Sequence, residues 1–146
     1  MGVYTVNRAS VALNTSQDTL TIVAAAAKPL RVMVVDIKGM GTASASNQIL
    51  LARSSGGSTP GGAVTPRGTT SDTPSAGFAV YTSWSVQPTL GNELWRFGVN
   101  ANGGQDKFTA LPGAEISVPG GGQVSLRSVS GTSDVVVDLL VEEIGG

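Results

Sequence analysis

The sequence predicts an all-β domain, built as a sandwich or a closed barrel. Three observations carry this. Apolar residues recur with a period of two, most clearly over residues 112–144, reading PGAEISVPGGGQVSLRSVSGTSDVVVDLLVEEI. Glycine, proline and asparagine punctuate these runs at short, even intervals, which fits about eight to ten strands. No stretch repeats with a helical period, and no βαβ alternation appears.

Residues 4–13 alternate loosely and make a first strand, closed by the turn-favouring run Asn14-Thr15-Ser16-Gln17-Asp18. Residues 19–23 are strand-like. The four alanines that follow, Ala24 to Ala27, allow one helical turn before Pro29 but are too few for a helix. Residues 30–38 (LRVMVVDIK) place Val32 and Val34 on one face and Met33, Val35 and Ile37 on the other, with Val35 and Ile37 assigned to the core. A shorter strand covers residues 48–53.

From 54 to 76 the chain reads SSGGSTPGGAVTPRGTTSDTPSA, with five glycines, three prolines and almost nothing to bury. This predicts a long surface loop. Loops beyond about 12–15 residues in a compact domain are uncommon and usually functional or mobile. Thr59, Pro60, Val64, Thr65, Pro66 and Arg67 are therefore the candidate partner-contact residues, with the termini and an edge strand as lesser candidates.

Residues 77–86 (GFAVYTSWSV) read as one strand with Phe78, Val80, Thr82 and Trp84 on one face, stopped by Pro88. Residues 93–99 (ELWRFGV) put Trp95, Phe97 and Val99 on one face, with Leu94 and Arg96 opposite. Aromatics bury the largest area per residue, so these two strands are expected to supply the aromatic half of the core, Trp84 and Trp95 included. After a turn at 100–104 come strands at 107–111, 115–118, 123–129 and 134–144, giving Ile116, Val118 and Leu126 to the core. In the closing strand Val135, Val137, Leu139 and Val141 share the buried face. Asp134, Val136, Asp138, Leu140 and Glu142 share the other, which is expected to be partly covered.

Composition bounds the rest. At 146 residues the chain fits one domain, spanning 1–146, that buries roughly 68–70% of its unfolded surface. Nine Lys and Arg stand against ten Asp and Glu, and the basic residues are scattered singly. That argues against a nucleic-acid or anionic-membrane partner, which needs clustered positive charge. The start MGVYTVNRAS has no basic region leading into an apolar run, so no secretory signal is expected. Val6 stands where a myristoylation motif wants Ser or Thr. No run approaches the roughly 20 apolar residues of a membrane span.

Cysteine and histidine are both absent, which removes nucleophilic catalysis of the Ser-His-Asp and Cys-His types. Asp138 and Glu142 share a strand face but lie roughly 13 Å apart at strand rise, beyond the ~5–9.5 Å of a glycosidase pair. The glycine pairs Gly56-Gly57 and Gly61-Gly62 and the triplet Gly120 to Gly122 lack the Lys-Ser/Thr of a phosphate loop. Gly103-Gly104-Gln105-Asp106 offers one acidic ligand where a calcium loop needs several. Asn14-Thr15-Ser16 fits a glycosylation sequon. No cofactor, metal or enzymatic activity is expected.

Several stretches together resemble a family of small virion proteins of tailed bacteriophages and prophages. They are VTPRGTTSDTPSAGFAVYTSWSVQPT, ELWRFGVNANGGQDKFTALPGAEISVPGGGQVSLRS and the closing VVVDLLVEEI. The shared features are an alanine-rich run leading into a hydrophobic strand (24–37) and a Gly/Thr/Pro-rich loop holding Val64-Thr65-Pro66. An aromatic strand ending near Pro88, Pro112-Gly113 followed by Ile116 and Val118, and a last strand ending in Glu142-Glu143 complete them. The resemblance implies a jelly-roll subunit, commonly a homotrimer, that decorates or cements the outer capsid by binding the major capsid protein. It would be assembled in the host cytoplasm. The same fold also serves in head fibres and tail components. Two other classes remain open: a carbohydrate-binding module using Tyr81, Trp84 or Trp95 as a platform, and a small β-barrel enzyme with a polar pocket.

Overall fold

The structure, a computed structural model, describes residues 2–145, and among them finds thirteen strands and no helix. Met1, at the start of the acylation motif, and Gly146, the last residue of the C-terminal contact candidate, lie outside the described residues. In chain order the strands are β1 (Gly2–Ala12), β2 (Asp18–Val23), β3 (Leu30–Met40), β4 (Ser46–Ser55), β5 (Ser58–Gly61), β6 (Arg67–Gly68) and β7 (Ala79–Tyr81). There follow β8 (Ser83–Val86), β9 (Thr89–Asn100), β10 (Asn102–Thr109), β11 (Ile116–Val118), β12 (Gln123–Ser130) and β13 (Asp134–Glu143). Eight are long and form the body. The five short ones, β5 to β8 and β11, are additions to it.

The body is an antiparallel β-sandwich. One sheet has the order β10-β3-β13-β1-β6, with β11 also on β3; the other runs β7-β2-β12-β4-β9, and β5 and β8 form a separate ribbon. Pairing is nested: β1 with β13, β2 with β12, β3 with β10 and β4 with β9. The first half of the chain is thus retraced in reverse by the second. The core lies between the sheets and draws Val6, Val35, Val137 and Leu139 from the first, and Ile22, Leu51, Phe97 and Leu126 from the second.

Strict alternation produces β13. Val135, Val137, Leu139 and Val141 are buried and the intervening residues down to Glu142 are only partly covered or exposed, as expected. Elsewhere bulges shift the phase. In β3, Val32 and Val35 are both buried because the register against β13 skips Met33, so Val32 belongs with Val35 and Ile37 and not opposite them. A bulge puts one extra residue on one strand and flips every side chain beyond it. The alanine run forms a turn, closed by the Lys28 N–H donating to the Ala25 carbonyl at 3.1 Å, in place of the helical turn.

The stretch 77–86 is two strands in two different layers. β7 joins the second sheet beside β2, with Val80 opposite Ile22, whereas β8 turns out to pair with β5. Phe78 and Val80 are therefore buried, but Trp84 is not a core residue. Trp95 corrects the expectation differently. It stands opposite the buried Leu51, so its facing is inward, yet β9 is the sheet's edge strand and the indole is 45% exposed. It reaches across the open side of the sandwich to Phe108 of β10, ring centroids 5.1 Å apart. Ile116 is half-buried against the core, and Val118 is fully buried.

Candidate functional site

Between β4 and β9 the chain leaves the sandwich on a long excursion, residues 56–88, which contains all six candidate contact residues. It is not a free loop. β5 and β8 make a ribbon; β6 then adds to the edge of the first sheet, Thr5 opposite Arg67; β7 adds to the edge of the second. The excursion therefore spans one side of the sandwich and blunts both edges there. Short or covered edge strands keep a sheet from pairing indiscriminately.

Side chains hold it down at both ends. The Tyr4 hydroxyl donates to the Pro74 carbonyl at 2.8 Å, and the Tyr4 ring meets Phe78 edge to face. The buried Glu143 carboxylate accepts the Gly77 N–H at 3.0 and 3.1 Å and lies 3.9 Å from the Lys28 ammonium. Burial, and after it the charge of Glu143, raises the Tyr4 phenol above its ordinary pKa. At the other end Trp84 donates its indole N–H to Thr21 Oγ1 at 3.0 Å and packs edge to face on Tyr81. Gly57, at φ 87°, permits this: a Cβ there would come 2.7 Å from the indole.

Thr21 alternates with the core residues Leu20 and Ile22 and so faces the outer side of the second sheet, where Trp84 helps cover a buried polar cluster. Its centre is Asp18. Oδ2 accepts from Thr21 Oγ1 at 2.6 Å and Ser125 Oγ at 2.5 Å, and Oδ1 accepts from Arg127. The Asp18 N–H donates to Gln87 Oε1 at 2.9 Å, and Arg127 Nη2 reaches the Pro88 carbonyl at 3.0 Å. Both of these partners lie at the end of the excursion. A buried carboxylate supplied with three hydrogen-bond donors, one of them charged, is well satisfied, and here it also fixes the chain entering β9.

The candidate contact residues divide. Thr59, Pro60, Thr65 and Arg67 are exposed, Pro66 is half-buried, and Val64 packs on the core while its N–H donates to the Val80 carbonyl at 3.0 Å. In a segment expected to have almost nothing to bury, Val64 is the contact candidate that packs against the core. Thr59 is the one non-glycine among the described residues with positive φ, 50°. A β-branched residue there is strained, and such strain collects at functional positions. Val64, Thr65 and Arg67 line a cleft of about 310 Å³ with Thr5 and Asn7 of β1. Asn7 in turn donates its side-chain amide to Asp138. Sequence reasoning missed Thr5 and Asn7, although their alternation with Tyr4 and Val6 marks them as outward-facing. It also missed the exposed Val86 of β8 and Leu111, for which no sequence signal exists.

The carboxylates weighed as a pair, Asp138 and Glu142, are each engaged separately, Asp138 by Asn7 and Glu142 by Arg31 at 3.5 Å. Trp84 is committed to packing; Trp95 remains partly exposed beside Phe108. No family model matches the chain, nor does any curated protein or solved structure.

Proposed function

We propose that this chain is a structural virion protein of a tailed phage, a homo-oligomer, most simply a trimer, that decorates or cements the outer capsid through its excursion. The resemblance described above motivates the reading. The nested strand pairing supports it, because a jelly roll calls for eight long strands in two antiparallel sheets and the sandwich supplies them, paired first to last. The observation that carries it is the anchoring of residues 56–88: a segment exposed at Thr59, Pro60, Thr65 and Arg67, yet fixed to both sheets. A contact surface held in place in advance loses less entropy on binding, and several copies on one oligomer multiply weak single contacts. Each copy needs about 1,000 Å² of complementary contact for specificity. Substituting Arg67→Glu together with Thr65→Lys tests the surface: both are exposed, so folding should persist while capsid binding falls.

One observation favours a second reading, a carbohydrate-binding module. Trp95 is half-exposed and held by Phe108, which is how an aromatic platform is presented. Trp95→Ala with retained capsid binding and lost glycan binding would favour it.

A further inference from the structure

A second cleft, of about 210 Å³, opens where β1 turns into β2. Arg8, Asn14, Gln17, Asp18, Thr19 and Thr82 contribute to its lining. Arg8 follows Tyr4 and Val6 in the inward alternation of β1 and stands opposite the buried Val137, so its guanidinium is drawn into the end of the sandwich. Burial lowers its pKa. Yet it has no carboxylate within ion-pair distance among the described residues. Among the described residues its one hydrogen-bond partner is the Thr19 carbonyl, which accepts from Nη1. A partly buried cation held by a single carbonyl is undercompensated.

The cleft offers several hydrogen-bond donors that no group of the protein takes up among the described residues. The Nε and Nη2 edge of Arg8 has no partner among the described residues. Asn14 Oδ1 is occupied by the Ser16 N–H and hydroxyl, at 2.9 and 2.8 Å, leaving the amide Nδ2 free. Thr19 is 4% exposed and its hydroxyl has no partner. The one carboxylate in the lining is already engaged: Asp18 accepts from Arg127, Thr21 and Ser125, and the Arg127 guanidinium balances its charge. A partly buried cation with spare N–H donors, and no free carboxylate beside it, selects an oxyanion. The Nε/Nη2 edge of an arginine presents two parallel N–H groups that fit a planar carboxylate bidentately.

We propose that the cleft at the β1–β2 turn is a binding site for a small carboxylate, received by the free edge of Arg8 with the Asn14 amide and the Gln17 side chain as flanking donors. The site rests on this geometry alone and is independent of capsid binding.

The test is a nuclear magnetic resonance titration of the isotope-labelled full chain with sodium acetate, beside inorganic phosphate and, at matched ionic strength, sodium chloride. The expected result is saturable movement of the Arg8 Nε–H and the Asn14 and Gln17 side-chain amides with acetate, weaker movement with phosphate and none that saturates with chloride. Arg8→Lys keeps the charge but loses the fork and should weaken acetate about tenfold, the worth of one charge-assisted hydrogen bond. Gln17→Ala, at an exposed side chain with no partner among the described residues, should fold normally and weaken acetate a few-fold. Movement equal in acetate and chloride, or acetate affinity unchanged in both variants, would overturn the site. Tighter binding of phosphate than acetate would overturn the carboxylate assignment.

Discussion

Arg127 donates its Nε–H to Asp18 Oδ1 at 2.7 Å and holds Nη2 2.6 Å from the same oxygen as an ion pair, and the Asp18 side chain is fully buried. The pair joins β12 to the start of β2, and through the Pro88 carbonyl and Gln87 it also fixes the end of the excursion. Folding of the sandwich and placement of the contact segment therefore share one ion pair.

Removing one partner of a buried pair leaves an uncompensated charge and costs about 3–5 kcal/mol. Asp18→Ala is expected to lose that much in urea denaturation, and the double variant Asp18→Ala/Arg127→Ala less than the sum of the singles, because the residues are coupled. A loss under about 1 kcal/mol for Asp18→Ala, in the range of an ordinary net hydrogen bond, would contradict the pair's role.

Phe97 and Trp95 face the same way two residues apart, but only Phe97 is sealed in. Phe97→Ala should cost about 3–5 kcal/mol, and Trp95→Ala roughly half that, since half of its apolar area is already in water. Equal losses in thermal or denaturant unfolding would show that the indole is more deeply packed than its exposure indicates.

How far the sequence reached depended on whether a strand obeyed period two. β13 does, and its buried and half-covered residues were legible one by one. In β3 the bulge at Met33 moved Val32 to the core side, which no pattern of apolar residues can announce when five of the six residues 32–37 are apolar. Trp84 and Trp95 failed for a tertiary reason: their strands lie in a side ribbon and at a sheet edge. Alternation gives a side chain's direction, not what covers it. The excursion was legible as the exceptional segment from its glycine and proline content, while its anchors at Tyr4, Glu143 and Trp84 come from residues far apart in the chain.

Thr59 carries left-handed strain that glycine would not. Thr59→Gly is expected to leave stability unchanged or raise it by up to about 1 kcal/mol, relief of strain being offset by the freer unfolded chain. If the strained threonine serves the contact surface, the same variant should bind capsids more weakly. A clear loss of stability would show that the surroundings favour threonine for packing.

Tyr4 sets a pH limit. Its phenol is raised above the ordinary value of about 10 by burial first and Glu143 second, so the unfolded chain ionises before the folded one. Stability should be intact below about pH 10 and fall as the pH rises from there through the raised folded value. Tyr4→Phe should abolish that alkaline slope while losing about 0.5–1.5 kcal/mol at neutral pH with the hydrogen bond to Pro74. Chemical denaturation from pH 7 to 11 checks both, and an unchanged slope in the variant would assign the effect to another group.

The most direct measurement is sedimentation of the purified chain alone and mixed with phage capsids that lack their decoration protein. A trimeric mass in solution and saturable co-sedimentation with the capsids are the expected results, reduced by Arg67→Glu/Thr65→Lys. A monomeric mass with no co-sedimentation would contradict the decoration account.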